Sequence, residues 1–162
     1  MVPESQASEF VEFVRELNEI ARSVMVEDGA HDAMYFLLLP DGSVSAKRFA
    51  AADRPVGDAY EQELVAAVTR TGADAVVFVS EAWSADPDTI PDGAGAGDAP
   101  GPDDVLIVAA VDRHGTEIVI ETALISAPDG TVQLGESEEY ADDEYRVRTL
   151  DAVRRSWRQG LP

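Results

Sequence analysis

The chain has 162 residues and a formal net charge of -20, from 32 acidic against 12 basic side chains, with 45% hydrophobic residues and no cysteine. That length and apolar fraction suit one folded domain with its own core and exclude an acidic disordered tail. The lack of cysteine removes disulfide scaffolds, thiolate chemistry and thiolate-held metal, and a field this negative repels nucleic acid.

Ser5 to Asp28 reads as an amphipathic helix. Phe10, Phe13, Val14, Leu17, Ile20, Ala21 and Val24 recur at three and four residues, and Glu9, Glu12, Glu16 and Glu19 take the other side. Ser5 or Ser8 can cap its start and Gly29 can end it. Ala33 to Leu39 is an apolar run of strand length, Pro40-Asp41-Gly42 is turn chemistry, and Ser43 to Ala50 is a returning strand. A second helix begins at Asp58, carries Tyr60, Leu64, Val65, Ala67 and Val68 inward, and stops at Gly72. Ala75 to Trp83 is β-branched and aromatic, a central strand apolar on both faces until Ser80. From Ser84 to Asp104 the prolines, glycines and aspartates predict a flexible acidic loop at about 84–104.

Val105 to Val111, the turn Asp112-Arg113-His114-Gly115 and Thr116 to Ile125 form a hairpin. In its second strand Ile118, Ile120, Thr122 and Leu124 face one way, with Glu117, Val119, Glu121, Ala123 and Ile125 opposite. Ala127-Pro128-Asp129-Gly130 then turns the chain into a short edge strand, Thr131 to Leu134. The acidic segment from Gly135 to Glu144 leads to a last helix in the later part of Tyr145 to Gln159, through Leu150, Val153 and Trp157. The order α-β-β-α-β-β-β-(β)-α predicts a single α+β domain over 1–162, with a mainly antiparallel sheet of five or six strands.

Within the charge, Lys47 is the one lysine and the other basic residues are arginines. Lysine exposes a long apolar stem, whereas short carboxylates hold water where salt is molar and the Debye length is about 3 Å. The composition resembles that of salt-in halophiles, and the acids are spread along the whole chain; the alternative reading is an acidic surface for a basic partner, or a nucleic-acid mimic. No run of about 18 apolar residues suggests a membrane span, and the start, Met1-Val2-Pro3-Glu4-Ser5, has no basic and apolar leader pattern. The expectation is a cytoplasmic protein without cofactor, membrane or nucleic-acid partner.

Candidate chemistry is sparse. His31 and His114 are the two histidines, with neither HExxH nor HxH spacing. Each reads as a loop residue, and a shared metal site needs both beside Glu81 or Asp112. The element order is compatible with JAB-type metalloproteases, but their paired histidines and aspartate are missing and their activity is not carried over. Glu81 closes the most apolar strand beside Trp83 and before the loop, where a polar residue can face a cleft or simply meet solvent. Glu121 has the same ambiguity, and the two carboxylates are a weak candidate acid/base pair. Gly93-Ala94-Gly95-Ala96-Gly97 lacks the context and basic residue of a phosphate loop. Arg146, Arg148, Arg154, Arg155 and Arg158 form the one locally basic stretch and are expected to pair with Glu138, Glu139, Asp142, Asp143 and Asp151.

The run Ala73-Asp74-Ala75-Val76-Val77-Phe78-Val79-Ser80-Glu81-Ala82-Trp83, a proline-containing loop, and Asp104-Val105-Leu106-Ile107-Val108 resemble a set of small uncharacterised microbial and phage proteins, haloarchaeal ones included, over about 58–135. Where those carry a Pro-Asp-Arg-Glu-like element this chain has Pro102-Asp103-Asp104-Val105, so the arginine is missing. The resemblance implies a compact α+β unit and no mechanism. The helix–hairpin–helix–strands order is also similar to roadblock-like domains, which implies dimerisation or regulation. Two functions follow: a non-enzymatic protein acting through a homodimer or protein partner, and a hydrolase-like or ligand-binding enzyme with a cleft beneath the 84–104 loop, using Glu81.

Overall fold

Three turns of one design shape the sheet. In a computed structural model, which describes residues 4–49, 57–84, 103–141 and 148–159, they fall at Leu39–Ser43, Asp112–Thr116 and Ala127–Thr131. In each, the first residue donates its N–H to the fifth residue's carbonyl, at 2.9, 3.0 and 2.8 Å, and its own carbonyl accepts from the fourth residue. That fourth residue is Gly42, Gly115 or Gly130, at φ of 87°, 96° and 85°, where other residues are strained. An aspartate ties each turn from inside. Asp41 accepts from the N–H and hydroxyl of Ser43, and Asp129 does so from Thr131. Asp112 accepts from the N–H groups of His114 and Thr116. The hydroxyl, and then the backbone N–H, holds the carboxyls of Asp41 and Asp129 below the ordinary carboxylate range.

The elements are α1 (Glu4–Asp28), β1 (Met34–Leu38), β2 (Val44–Arg48), α2 (Gly57–Thr71), β3 (Ala75–Ser84), β4 (Asp103–Asp112), β5 (Glu117–Ser126), β6 (Val132–Ala141) and α3 (Arg148–Arg158). The strands form one six-stranded sheet in the order β2-β1-β3-β4-β5-β6, antiparallel throughout. The α+β class and the antiparallel sheet are those expected. Helices cover both faces. On one face Phe10, Val14, Leu17, Ala21 and Met25 of α1 pack on Ala75, Val77, Val79, Leu106, Val108, Ala110, Ile118 and Ile120. On the other, Tyr60, Leu64, Ala67 and Val68 of α2 and Leu150 and Val153 of α3 pack on Leu37, Val76, Phe78, Ile107, Ala109 and Val119. β3 and β4 are therefore covered twice, which explains their unbroken apolar sequence.

Two boundaries differ from expectation. β6 does not stop at Leu134 but continues through the acidic segment to Ala141. It can, because α1 supplies partners for its polar residues. Arg15 holds Glu139 through Nε (2.6 Å) and Nη2 (3.2 Å), Asn18 Nδ2 donates to Ser137 Oγ (3.1 Å), and Arg22 donates to the Gly135 carbonyl and Ser137 Oγ, both at 3.0 Å. A register shift opposite Ala123 marks a bulge, since Thr122 pairs with Ser137 but Leu124 with Leu134. A Cβ on Gly135 would sit 3.2 Å from the Ala123 Cβ, so glycine suits this crowded position. The second difference is that β3 runs on to Ser84 and β4 starts at Asp103, paired with it. The core of the expected flexible loop, residues 85–102, lies outside the described residues.

Of the basic C-terminal stretch, Arg146 lies outside the described residues. Arg154 forms a pair with Asp151 at 3.3 Å and, unforeseen, an ion pair with Glu117 at the start of β5. Glu139, expected to pair there, instead takes Arg15, and Glu138 accepts the Tyr140 hydroxyl at 2.6 Å.

Candidate functional site

As residue numbers rise along α1 they fall along its contacts in β6, from Glu139 through Ser137 to Gly135. The helix therefore runs antiparallel to β6 and ends at the edge of the sheet where β3 also finishes. Residues 29–33 cross from there to β1 and lay His31 and Asp32 over the end of β3. The backbone N–H of His31 donates to Glu81 Oε2 at 3.2 Å. His31 Nδ1 lies 2.7 Å from the Asp32 carbonyl oxygen, which can only accept, so Nδ1 donates. Arg48, the last residue of β2, reaches Asp32 Oδ2 at 3.4 Å.

These groups rim a cavity of about 380 Å³ lined by His31, Asp32, Ala33, Arg48, Phe49, Tyr60, Ser80 and Glu81. Ser80 is buried and donates its hydroxyl to the Glu81 carbonyl at 2.8 Å. The floor is aromatic: the Phe49 ring lies 4.1 Å from Tyr60 and 4.9 Å from Tyr35, centroid to centroid. Burial, reinforced by the charge of Glu63, raises the Tyr60 phenol above its ordinary value, so it stays a neutral donor at physiological pH. Among the described lining residues Glu81 and Asp32 bring carboxylates and Arg48 a guanidinium.

The other candidates fall elsewhere. His114 sits in the β4–β5 turn next to Asp112, whose strand partner is Ala75 at the opposite end of β3 from Glu81. Six residues of strand separate those ends by about 20 Å, so the two histidines do not meet. Among the described residues no group of three metal-ligating side chains converges. Glu121 does not pair with Glu81 either. β4 lies between their strands, and Glu81 opposes Leu106 on the α1 face whereas Glu121 opposes Ile107 on the other. Glu121 is half-buried beside Glu138, with no hydrogen bond to its shielded Oε2 among the described residues. Asp32, Arg48, Phe49 and Tyr60 were not singled out from sequence for this site. Asp32 adjoins His31 and was within reach, but the others arrive through strand pairing and helix packing.

The family profile described as bacteriophage lambda protein ea47 matches residues 1–162. The chain belongs to that family. Neither the curated proteins nor the solved structures contain a match to it. Membership extends the small phage-protein resemblance, expected over about 58–135, to the whole chain. No described helix is long and apolar enough to cross a membrane.

Proposed function

We propose that this family member works by binding, not by turnover, and that the cleft at the end of β3 receives an organic cation, an amine or guanidine on a flat apolar body. The observation that carries this is that the carboxylates of Glu81 and Asp32 line one cavity with the rings of Phe49 and Tyr60. A cation over an aromatic face gains about 0.5–2 kcal/mol, depending on its desolvation, and a charge-assisted hydrogen bond about 1.5–3 kcal/mol. The whole-protein field draws cations toward the surface. Binding is favoured over catalysis because the reactive groups are engaged by backbone: Ser80 Oγ by the Glu81 carbonyl, His31 Nδ1 by the Asp32 carbonyl, and Glu81 by the His31 N–H. No hydroxyl–imidazole–carboxylate relay is assembled there among the described residues.

The test is a nitrogen-15 shift titration with benzylamine and benzamidine against benzyl alcohol and benzoate. The cations should move the amides of His31, Asp32, Ser80 and Glu81, and Glu81→Gln should weaken them about tenfold. Equal binding of benzoate, or shifts centred away from the cleft, refutes the reading. The roadblock-like order of the first elements supports a binding role. The arginine-over-lysine acidic composition supports a cytoplasm of molar salt.

A further inference from the structure

The two faces of the sheet are unequally covered. Six strands at about 4.8 Å spacing span about 24 Å between the outer pair, room for two helices each about 10 Å across. One face carries two, α2 and α3. Among the described residues the other carries α1 alone, and α1 packs over β4, β5 and β6. On that face the β1–β2 side shows Met34, Phe36 and Leu38 half-buried, Ala46 exposed and Val44 49% exposed. Arg15, Asn18 and Arg22 turn one flank of α1 toward β6. Phe13, Ile20 and Val24 lie across the buried stripe on the opposite flank, toward the uncovered strands, with Ile20 59% exposed. The result is a step with an apolar floor, Phe36, Leu38 and Val44, and an apolar wall, Phe13 and Ile20.

The top of that wall is acidic. Glu9, Glu16 and Glu27 are exposed and follow Phe13 and Ile20 round the helix. We infer that this step is a docking groove for an amphipathic helix of another protein, apolar on the side that meets Phe36, Val44 and Ile20 and rich in lysine or arginine on the flank beside α1. The helix supplies a second layer that the described residues do not, and its basic flank answers the glutamates. A second copy of this chain fits poorly. Its own α1 ridge, Glu9, Glu12, Glu16 and Glu19, would meet the same acids, and each copy brings a net charge of -20.

The groove is separate from the cation cleft, so the two are tested apart. The probe is a designed helix of about 14 residues, about 21 Å long, with leucines at three- and four-residue spacing and lysine flanks. Its controls are the same peptide with glutamate flanks and a lysine-retaining scramble that breaks the leucine stripe. Binding is read by anisotropy and by nitrogen-15 shifts, at about 0.15 M and about 1 M salt, where the Debye length falls from about 8 to about 3 Å. The lysine helix should shift Ile20, Phe36, Leu38 and Val44, exceed both controls about tenfold, and weaken with salt. Ile20→Lys and Val44→Lys, at exposed positions that leave the core intact, should each weaken it about tenfold, while Glu81→Gln leaves it unchanged. Equal binding by the scramble shows non-specific attraction and overturns the inference. Shifts on the α2–α3 face, or a loss in Glu81→Gln parallel to the loss of benzylamine binding, also overturn it. So does a dimer by light scattering with concentration-dependent shifts at Ile20, which gives the groove to a second copy.

Discussion

Replacing Arg154 with methionine should be among the costliest changes to a partly exposed side chain in this protein. Its side chain is 21% exposed and is paired with Glu117, whose side chain is 7% exposed, and also with Asp151. Methionine keeps most of the volume and removes the charge, so the cost isolates electrostatics from packing. Removing one member of a buried pair leaves the other charge desolvated, at about 3–5 kcal/mol. The residual exposure of Arg154 places the expected cost near the lower end, about 3 kcal/mol. For a chain of this size that lowers Tm by about 6–12 °C. The assay is urea denaturation, which leaves ionic strength unchanged, with thermal melts beside it. Glu117→Leu should cost less than Arg154→Met, since Arg154 keeps Asp151. The double variant Arg154→Met with Glu117→Leu should recover much of the loss, because no carboxylate then remains at position 117. An Arg154→Met cost below about 0.5 kcal/mol, within the range of ordinary surface changes, or a double variant no better than the single, refutes the account of a buried pair fastening α3 to β5.

Asp41 and Asp129 titrate below ordinary carboxylates, so their stabilising effect is complete above the unfolded value of about 3.9 and is lost as pH falls through the lower folded value. Asp41→Asn and Asp129→Asn should therefore flatten the acid limb of a stability–pH curve, and an unchanged limb would contradict the turn geometry. Asn18 is 3% exposed and bonded to Ser137, so Asn18→Ala should cost about 1–2 kcal/mol. Arg15→Ala, which breaks an exposed pair with Glu139, should shift the denaturation midpoint less, and the reverse order would show that the outer pair holds α1. If the charge is an adaptation to salt, melting temperature falls steadily from molar to millimolar salt, and a flat profile removes that reading.

Much of this architecture is legible in the sequence. The helix from Ser5 to Asp28 and the strand through Val76–Val79 were written in local periodicity, and the three hairpins in Pro-Asp-Gly or Asp-x-x-Gly turns. Contacts distant in sequence were not legible. The segment after Leu134 looked like an acidic loop because its partners, Arg15, Asn18 and Arg22, lie more than a hundred residues away. Glu81 is conspicuous as a carboxylate ending an apolar strand, but Arg48, Phe49 and Tyr60 join it only through the β1–β2 hairpin and α2. Glu121 and Glu81 resembled a pair only while the sheet order was unknown.

The bulge at Gly135 has a consequence beyond shape. β2 and β6 are the two edges of the sheet, and they carry opposite signs, Lys47 and Arg48 on one and Glu136, Glu138 and Glu139 on the other. Unlike-charged free edges invite head-to-tail strand pairing between copies, a contact that does not close and grows into fibres. β2 offers a template of five residues, and the bulge divides β6 into regular stretches of three residues, 132–134, and five, 137–141. The irregularity that seats α1 thereby also halves the length of regular edge on which another strand could add.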